Sequence, residues 1–210
     1  MKDKKRNILV ATTNPGKIAE LRAMLDADLQ WSSLADFDNI PEVVEDGATF
    51  AENARKKALG YAKATDLWTI ADDSGLVVDA LDGAPGVNSA RFSGDKTVYD
   101  DGTLIDHRNI AKVLGLLEGV PQEQRTARFI CRLCLADPEK VLIETEGTVE
   151  GLITDREIGH NGFGYDPIFF VPHLKKTVAQ LTREEKNAIS HRGNAIRKLK
   201  PLLDKLLQDK

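Results

Sequence analysis

Cysteine is scarce: Cys131 and Cys134 are the only two in 210 residues. That excludes a disulfide-stapled scaffold. A chain of this length needs no staples, because it can bury roughly 70% of the surface its unfolded form exposes. Long hydrophobic runs are also missing. The run Ile8–Ala11, close to the start, is too short for a signal-peptide core. No stretch approaches the roughly 20 apolar residues of a membrane helix. A cytoplasmic protein without a membrane partner is expected. Positive charge is not in excess either: 29 Lys and Arg stand against 33 Asp and Glu, a net charge of −4. That balance argues against DNA, RNA or an anionic membrane as the main partner. It leaves room for a small polyanion in a local basic pocket. There is no internal repeat, linker or low-complexity tract. No nucleophile triad is evident, since His191 has no Ser or Cys partner at a telling spacing, and His107, His160 and His173 show no ligand pattern.

The two cysteines are spaced C-x-x-C, which reads as a redox pair, half of a zinc site, or two core thiols. The residues around them decide. Ala127, Phe129, Cys131, Leu133 and Leu135 alternate along Thr126–Ala136, as a half-buried strand does. An odd separation on a strand sends Cys131 and Cys134 to opposite faces, so core thiols are expected.

Strand and helix signals interleave along the rest of the chain. Asn7–Ala11 reads as a buried strand, followed by the turn Thr12–Gly16 and the helical spacing of Ile18, Leu21 and Leu25. Thr49 with Glu52 fits a capping box opening a helix with an alanine face. A short strand, Trp68–Ala71, leads into Asp72-Asp73-Ser74-Gly75, expected as a turn. Gly83–Gly94 reads as a long ordered loop, and Asn109–Leu117 as a helix. Thr126–Ala136 and Val141–Val149 form a hairpin around Asp137-Pro138-Glu139-Lys140. A Gly-rich loop at Gly159–Gly164 precedes the strand Ile168–Val171. Thr182 with Glu185 caps another helix, and Ser190 stands before a last one carrying Ile196, Leu199 and Leu203. The pattern predicts an α/β fold with a mixed β-sheet.

Four groups of residues carry chemistry. Thr12-Thr13-Asn14-Pro15-Gly16-Lys17 places hydroxyls, an amide and an ammonium where a helix begins, which suits a phosphate chain or, more simply, a helix cap. It is not a Walker A loop, because Ala11 and Ile18 stand where that motif requires Gly and Ser or Thr. Glu45 and Asp46 before one helix, and Asp72 and Asp73 after a strand, offer carboxylates from separate segments. Mg²⁺ bound to phosphates takes one or two such oxygens; solvated turn acids are the simpler reading. In Gly162-Phe163-Gly164-Tyr165-Asp166-Pro167, two aromatics and a carboxylate could stack on a base and bond its edge, or enter a core strand. Lys186 and His191 would not share a face of one unbroken helix. A break near Ser190 would put His191 and Arg192 in the first turn of a new one.

In this order, these clusters resemble the family of inosine triphosphate pyrophosphatases, the non-canonical purine nucleoside triphosphate (XTP/dITP) diphosphatases. The strings that carry the resemblance are ILVATTNPGKIAEL (8–21), TFAENARKKA (49–58), IADDSGLVVDALDGAPGVNSARFSG (70–94), GFGYDPIFFVP (162–172) and LTREEKNAISHRG (181–193). Thr13 departs from the Gly or Ser of many relatives, and Asp95–Asn109 and the segment around Cys131 match poorly. The resemblance implies one domain over 1–210 of two lobes, a long mixed β-sheet flanked by helices, a central nucleotide cleft and a homodimer. It implies hydrolysis of ITP, dITP and XTP to the monophosphate and pyrophosphate. Thr12, Thr13, Asn14, Pro15, Gly16 and Lys17 would hold the triphosphate. Glu45 and Asp73 would bind Mg²⁺. Asp73 and Lys17 would be catalytic, Asp73 as proton acceptor, and Ser74 would touch substrate. Phe163, Gly164, Tyr165, Asp166, Lys186, His191 and Arg192 would form the nucleoside pocket. The alternative is a related pyrophosphatase for pyrimidine or modified nucleotides.

Overall fold

A computed structural model describes residues 6–25, 29–94 and 102–208. Its elements are β1 (Arg6–Val10), α1 (Pro15–Met24), β2 (Leu29–Ser33), α2 (Phe50–Thr65), β3 (Trp68–Val78), α3 (Gly102–Leu116), β4 (Thr126–Ala136), β5 (Val141–Ile153), β6 (Phe169–Val171), β7 (Lys176–Thr177), α4 (Arg183–Ile189) and α5 (His191–Gln208). The strands form a seven-stranded mixed sheet in the order β2-β1-β3-β4-β5-β6-β7. β1 pairs in parallel with β2 and β3, Ile8 facing Trp31 and Trp68, whereas β6 is antiparallel to β5 and β7. The α/β expectation holds.

The chain divides into two compact units. The first comprises Met1–Asp73, Cys131–Gly147 and Arg192–Lys210; the second, Ser74–Ile130 and Thr148–His191. In the first unit, strand alternation separates two apolar layers. Ile8, Val10, Trp68, Ile70, Cys131, Leu133 and Leu135 pack with Leu21 and Leu25 and with Ile196, Leu199 and Leu203 of α5. Leu9, Ala11, Ala71, Cys134 and Ala136 pack on Ala54, Ala58 and Tyr61 of α2. The cysteines thus lie on opposite faces, as the alternation predicts, and both are free and buried. In the second unit Leu76, Val78, Ala127, Phe129 and Ile153 join Ile110 and Val113 of α3, Leu117 just after it, and Ile168, Phe169 and Val171 in one core.

Three local expectations change. Asp72-Asp73-Ser74-Gly75 is not a turn at a strand's carboxyl edge: β3 runs unbroken for 11 residues through it. Partners on both faces satisfy the two acids, so the strand has no reason to end. Gly83–Gly94 is tighter than a loop, because Gly86–Arg91 forms a 3-10 helix. Ser89 Oγ anchors it, accepting from Leu76 N–H at 2.9 Å and donating to the Gly86 carbonyl at 2.6 Å. α3 begins at Gly102 rather than Asn109; 95–101 lie outside the described residues. The expected break does occur. Ser190 is extended (φ −65°, ψ 155°) and ends α4, and α5 starts at His191.

Candidate active site

Asn14 sets the first feature. It is extended and its side-chain oxygen accepts from the Gly16 and Lys17 amides at 2.9 and 3.1 Å, starting α1. Thr12 Oγ1 accepts from Asn14 N–H at 3.2 Å. Thr13 is exposed, and Gly16 and Lys17 are half-buried. Pro15 opens the helix. The cap directs Lys17 at β3, where its Nζ lies 3.2 Å from Asp72 Oδ1.

Asp72 and Asp73 split between the two faces of β3. On the Ile70 face, Asp72 Oδ2 accepts from Arg192 Nε and Nη2 at 3.2 and 2.9 Å, and Arg192 Nη1 donates to Glu20 Oε2 at 2.5 Å. Burial alone would push the Asp72 carboxyl up. Lys17, Arg192 and Lys57 outweigh it and hold the group well below the usual carboxylate range. Asp72 is therefore a permanent anion.

On the Ala71 face, Asp73 meets α2. Its Oδ2 accepts from Asn53 Nδ2 at 3.2 Å, and its Oδ1 lies 3.3 Å from Lys57 Nζ. The same ammonium is 2.7 Å from Glu45 Oε2. Asn53 also holds the segment carrying Glu45, since its Oδ1 accepts from Gly47 N–H at 2.7 Å. Burial pushes the Asp73 carboxyl up to about 6; the nearby Glu45 adds to this, while Lys57, Lys17 and Asn53 oppose it. The two adjacent acids therefore differ in kind: one is fixed as an anion, the other is poised near neutrality, as a proton acceptor must be.

Glu45 and Asp73, the residues expected to hold a metal, converge on one cation from distant segments. Among the described residues no group of three or more His, Cys, Asp or Glu could hold a metal ion. Two carboxylates with the remaining positions left to water and phosphate oxygens fit Mg²⁺, which dehydrates reluctantly and is seldom caged by protein alone. Asp46 lies outside this group and pairs with Lys56 at 2.5 Å on the surface.

Arg192 is 1% exposed, so its guanidinium stands among Asp72 and Glu20 in the interior of the first unit. In the second unit, Lys186 Nζ is 2.7 Å from Asp166 Oδ2 and 4.3 Å from the centre of the Phe163 ring. Asp166 Oδ2 also accepts from Phe163 N–H at 3.0 Å. Gly162 has φ +83°, and a Cβ there would fall 2.0 Å from Asp166 Oδ2, so only glycine fits. Gly164 is likewise left-handed, and its N–H donates to Asp106 Oδ2 at 2.6 Å. Tyr165 is a core residue: it is buried and its hydroxyl donates to the Ser89 carbonyl at 2.8 Å. His191 is buried and stacks on Phe129 with centroids 4.9 Å apart. Ser74 is half-buried.

The sequence reading did not single out Asn53, Lys57, Glu20 or Asp106. A signal existed for three of them. Asn53 and Lys57 are four apart on α2 and so share a face, inside the string 49–58. Glu20 stands three after Lys17 on α1. Asp106 lies in the segment where the family resemblance is weakest.

Comparison with known proteins identifies the family. The Ham1 family model matches residues 8–202. The chain is 49% identical over 200 residues to the dITP/XTP pyrophosphatase of Desulforamulus reducens, covering 95% of this chain and 96% of that one. Among solved structures it resembles the Staphylococcus aureus Ham1 protein, with TM-score 0.83, 41% identity and coverage of 95% and 99%. It also resembles a nucleoside-triphosphatase/dITP/XTP pyrophosphatase of Mycobacterium abscessus, with TM-score 0.74, 44% identity and coverage of 93% and 99%. The chain belongs to the Ham1 family.

Proposed function

We propose that this chain is a dITP/XTP pyrophosphatase that converts dITP, XTP and ITP to the monophosphate and pyrophosphate, removing non-canonical purines from the nucleotide pool. The observation that carries the reading is the convergence of Glu45 and Asp73, from distant segments, on the Lys57 ammonium. Lys17 and its counter-ion Asp72 stand on the other face of the same strand. Near-full-length identity of 49% to a dITP/XTP pyrophosphatase supports the substrate class.

Water attacks the α-phosphorus of a polyanion, so the enzyme must position the water and neutralise charge. Thr12, Thr13, Asn14, Pro15, Gly16 and Lys17 line the triphosphate, with Lys17 meeting charge that builds on the leaving pyrophosphate. Asp73 Oδ accepts the water proton, and its raised pKa suits that task. Lys57 keeps the two acids together and offers a second cation toward phosphate. Mg²⁺ held by Glu45 and Asp73 supplies further charge neutralisation when bound. Ser74 touches the substrate. Phe163, Gly164, Tyr165, Asp166, Lys186, His191 and Arg192 form the nucleoside side, Tyr165 from beneath as core. Asp166 and the Phe163 ring fix the Lys186 ammonium. Asp72 and Glu20 fix the Arg192 guanidinium. Arg192, whose donors meet Asp72 and Glu20, supports the nucleoside side from the interior. A donor from His191 favours a 6-oxo purine over adenine, whose 6-amino group would leave it unpaired. Two lobes around a central nucleotide cleft, a homodimer and a cytoplasmic location complete the proposal.

The test is a panel of dITP, XTP, ITP, ATP, dTTP and UTP, scored for pyrophosphate with and without Mg²⁺. Metal-dependent pyrophosphate release from the first three is expected. Release of orthophosphate, or equal turnover of ATP, would overturn the assignment.

A further inference from the structure

We infer that Asp106, on α3, is a positioning residue that sets the nucleobase loop 162–166 and so governs affinity for the nucleoside half of the substrate. The inference rests on the pyrophosphatase reading above and goes further, because Asp106 is outside the residues that reading assigns to the substrate and acts on the loop through the Gly164 amide.

The loop carries two demanding backbone positions, Gly162 at φ +83° and Gly164 at φ +62°. Its amides in this stretch would gain from any acceptor, and carboxylates supply two. Asp166 Oδ2 takes the Phe163 N–H from inside the loop, at 3.0 Å. Asp106 Oδ2 takes the next amide, Gly164 N–H, from outside it, at 2.6 Å. Consecutive N–H groups are thus pulled to opposite carboxylates, and Phe163 lies between the two anchors. Charge-assisted bonds of this kind are short and about twice as strong as neutral ones.

The direction of the Phe163 ring follows from that arrangement. The ring centre is 4.3 Å from Lys186 Nζ, whose ammonium is held at 2.7 Å by Asp166. The inner anchor is packed solid: Asp166 is 3% exposed, and Gly162 has no room for a Cβ beside it. Asp106 is only half-buried and comes from a separate helix, 58 residues earlier in the chain. It ties Gly164, next to Phe163, to α3, while Lys186 of α4 holds Asp166 and the Ser89 carbonyl holds the Tyr165 hydroxyl. α3 itself is seated independently by Ile105, Ile110 and Val113 in the core, and by Asn109, whose Oδ1 accepts from Ser93 N–H at 2.7 Å. Losing the Asp106 carboxylate therefore loosens the loop at Gly164, beside Phe163, and leaves the helix in place.

The experiment compares D106A and D106N with wild type on dITP, with inorganic tripolyphosphate as a competitive inhibitor that has no nucleoside. D106A should raise KM for dITP about tenfold with kcat within about twofold, the cost of one charge-assisted bond. Its inhibition constant for tripolyphosphate should not change. D106N, whose amide oxygen still accepts from Gly164 N–H, should recover most of the KM. If D106A does not fold, D106E carries the test, because a displaced carboxylate should raise KM in the same selective way. An unchanged KM in D106A or D106E overturns the inference, as does an equal loss of dITP and tripolyphosphate affinity. Failure of the wild-type enzyme to release pyrophosphate from dITP overturns the functional reading itself, a different result from wild-type turnover with an indifferent Asp106.

Discussion

Asp72 and Asp73 are adjacent in the chain and face opposite sides of β3: Asp72 meets Lys17 and Arg192, and Asp73 meets Lys57 and Asn53. One turn of strand pleat separates a structural anion from a titrating one. The cations explain the difference. Asp72 is surrounded by three and stays charged, whereas burial, with the nearby Glu45, pushes Asp73 up to about 6 against a Lys57 that it shares with Glu45.

This division predicts how Asp73→Asn behaves. Turnover should fall at least about 100-fold, the scale of one general base. Stability should move the other way. The folded carboxyl titrates near 6 and the unfolded one near 3.8, so the folded state binds the extra proton better. The stabilisation from that proton is complete below about pH 4 and is lost as pH rises through 6, which leaves a cost of up to about 3 kcal/mol at neutral pH. D73N removes that cost. Its melting temperature should exceed that of metal-free wild type at pH 7.5, with the gap closing toward pH 4. A variant no more stable than wild type at pH 7.5 would refute the raised titration, and near-normal pyrophosphate release would refute the catalytic role.

Arg192→Met should be severely destabilising. The guanidinium is 1% exposed and is held by Glu20 and Asp72. Removing one partner of a buried pair strands the others, which costs about 3–5 kcal/mol. The depressed Asp72 pKa makes this stabilisation present above about pH 4 and lost as pH falls below it. Urea midpoints of wild type and R192M should therefore converge in acid. R192M combined with E20Q should lose less than the sum of the single variants. Full additivity would show that the two residues do not interact.

Lys57→Met separates electrostatics from packing, because its long apolar body is kept and its charge is removed. Burial works against the Lys57 ammonium, yet Asp73, Asp72 and Glu45 together raise its pKa, so it is charged throughout the working range. Without it Glu45 and Asp73 repel, and the Asp73 titration should move further above 6. Turnover at pH 7 should drop by more than about tenfold and recover in part at pH 8.5. Superimposable pH–rate profiles for wild type and K57M would dismiss this account.

Much of this was legible in the sequence, for identifiable reasons. Strand alternation placed Cys131 and Cys134 on opposite faces, because the period of a strand is fixed. A break near Ser190 would relieve the mismatch of Lys186 and His191 on a single helix, and the chain does break there. The length of β3 was not legible. Two aspartates, Ser and Gly read as a turn in isolation, and distant partners, Arg192 120 residues away with Lys17 for Asp72 and Lys57 with Asn53 for Asp73, make them tolerable inside a strand. Long-range compensation leaves no local trace. The same holds for Tyr165, which looks like a base-stacking residue until Ser89 takes its hydroxyl.

Gly162→Ala tests the nucleoside side by geometry alone. The position requires φ +83°, which costs an L-residue about 1–2 kcal/mol, and the new Cβ would meet the Asp166 carboxylate at 2.0 Å. Asp166 must then move, and with it the Lys186 ammonium that it holds at 2.7 Å and the Phe163 amide at 3.0 Å. The variant should lose about 2 kcal/mol of stability or more and raise KM for dITP. Its metal-dependent chemistry at saturating substrate should stay within several-fold of wild type, because Asp73, Lys57 and Lys17 belong to the other unit. A G162A enzyme with wild-type KM would mean that the Asp166–Lys186 pair takes no part in holding the base. A collapse of kcat with KM unchanged would place this loop in the chemical step instead of in recognition.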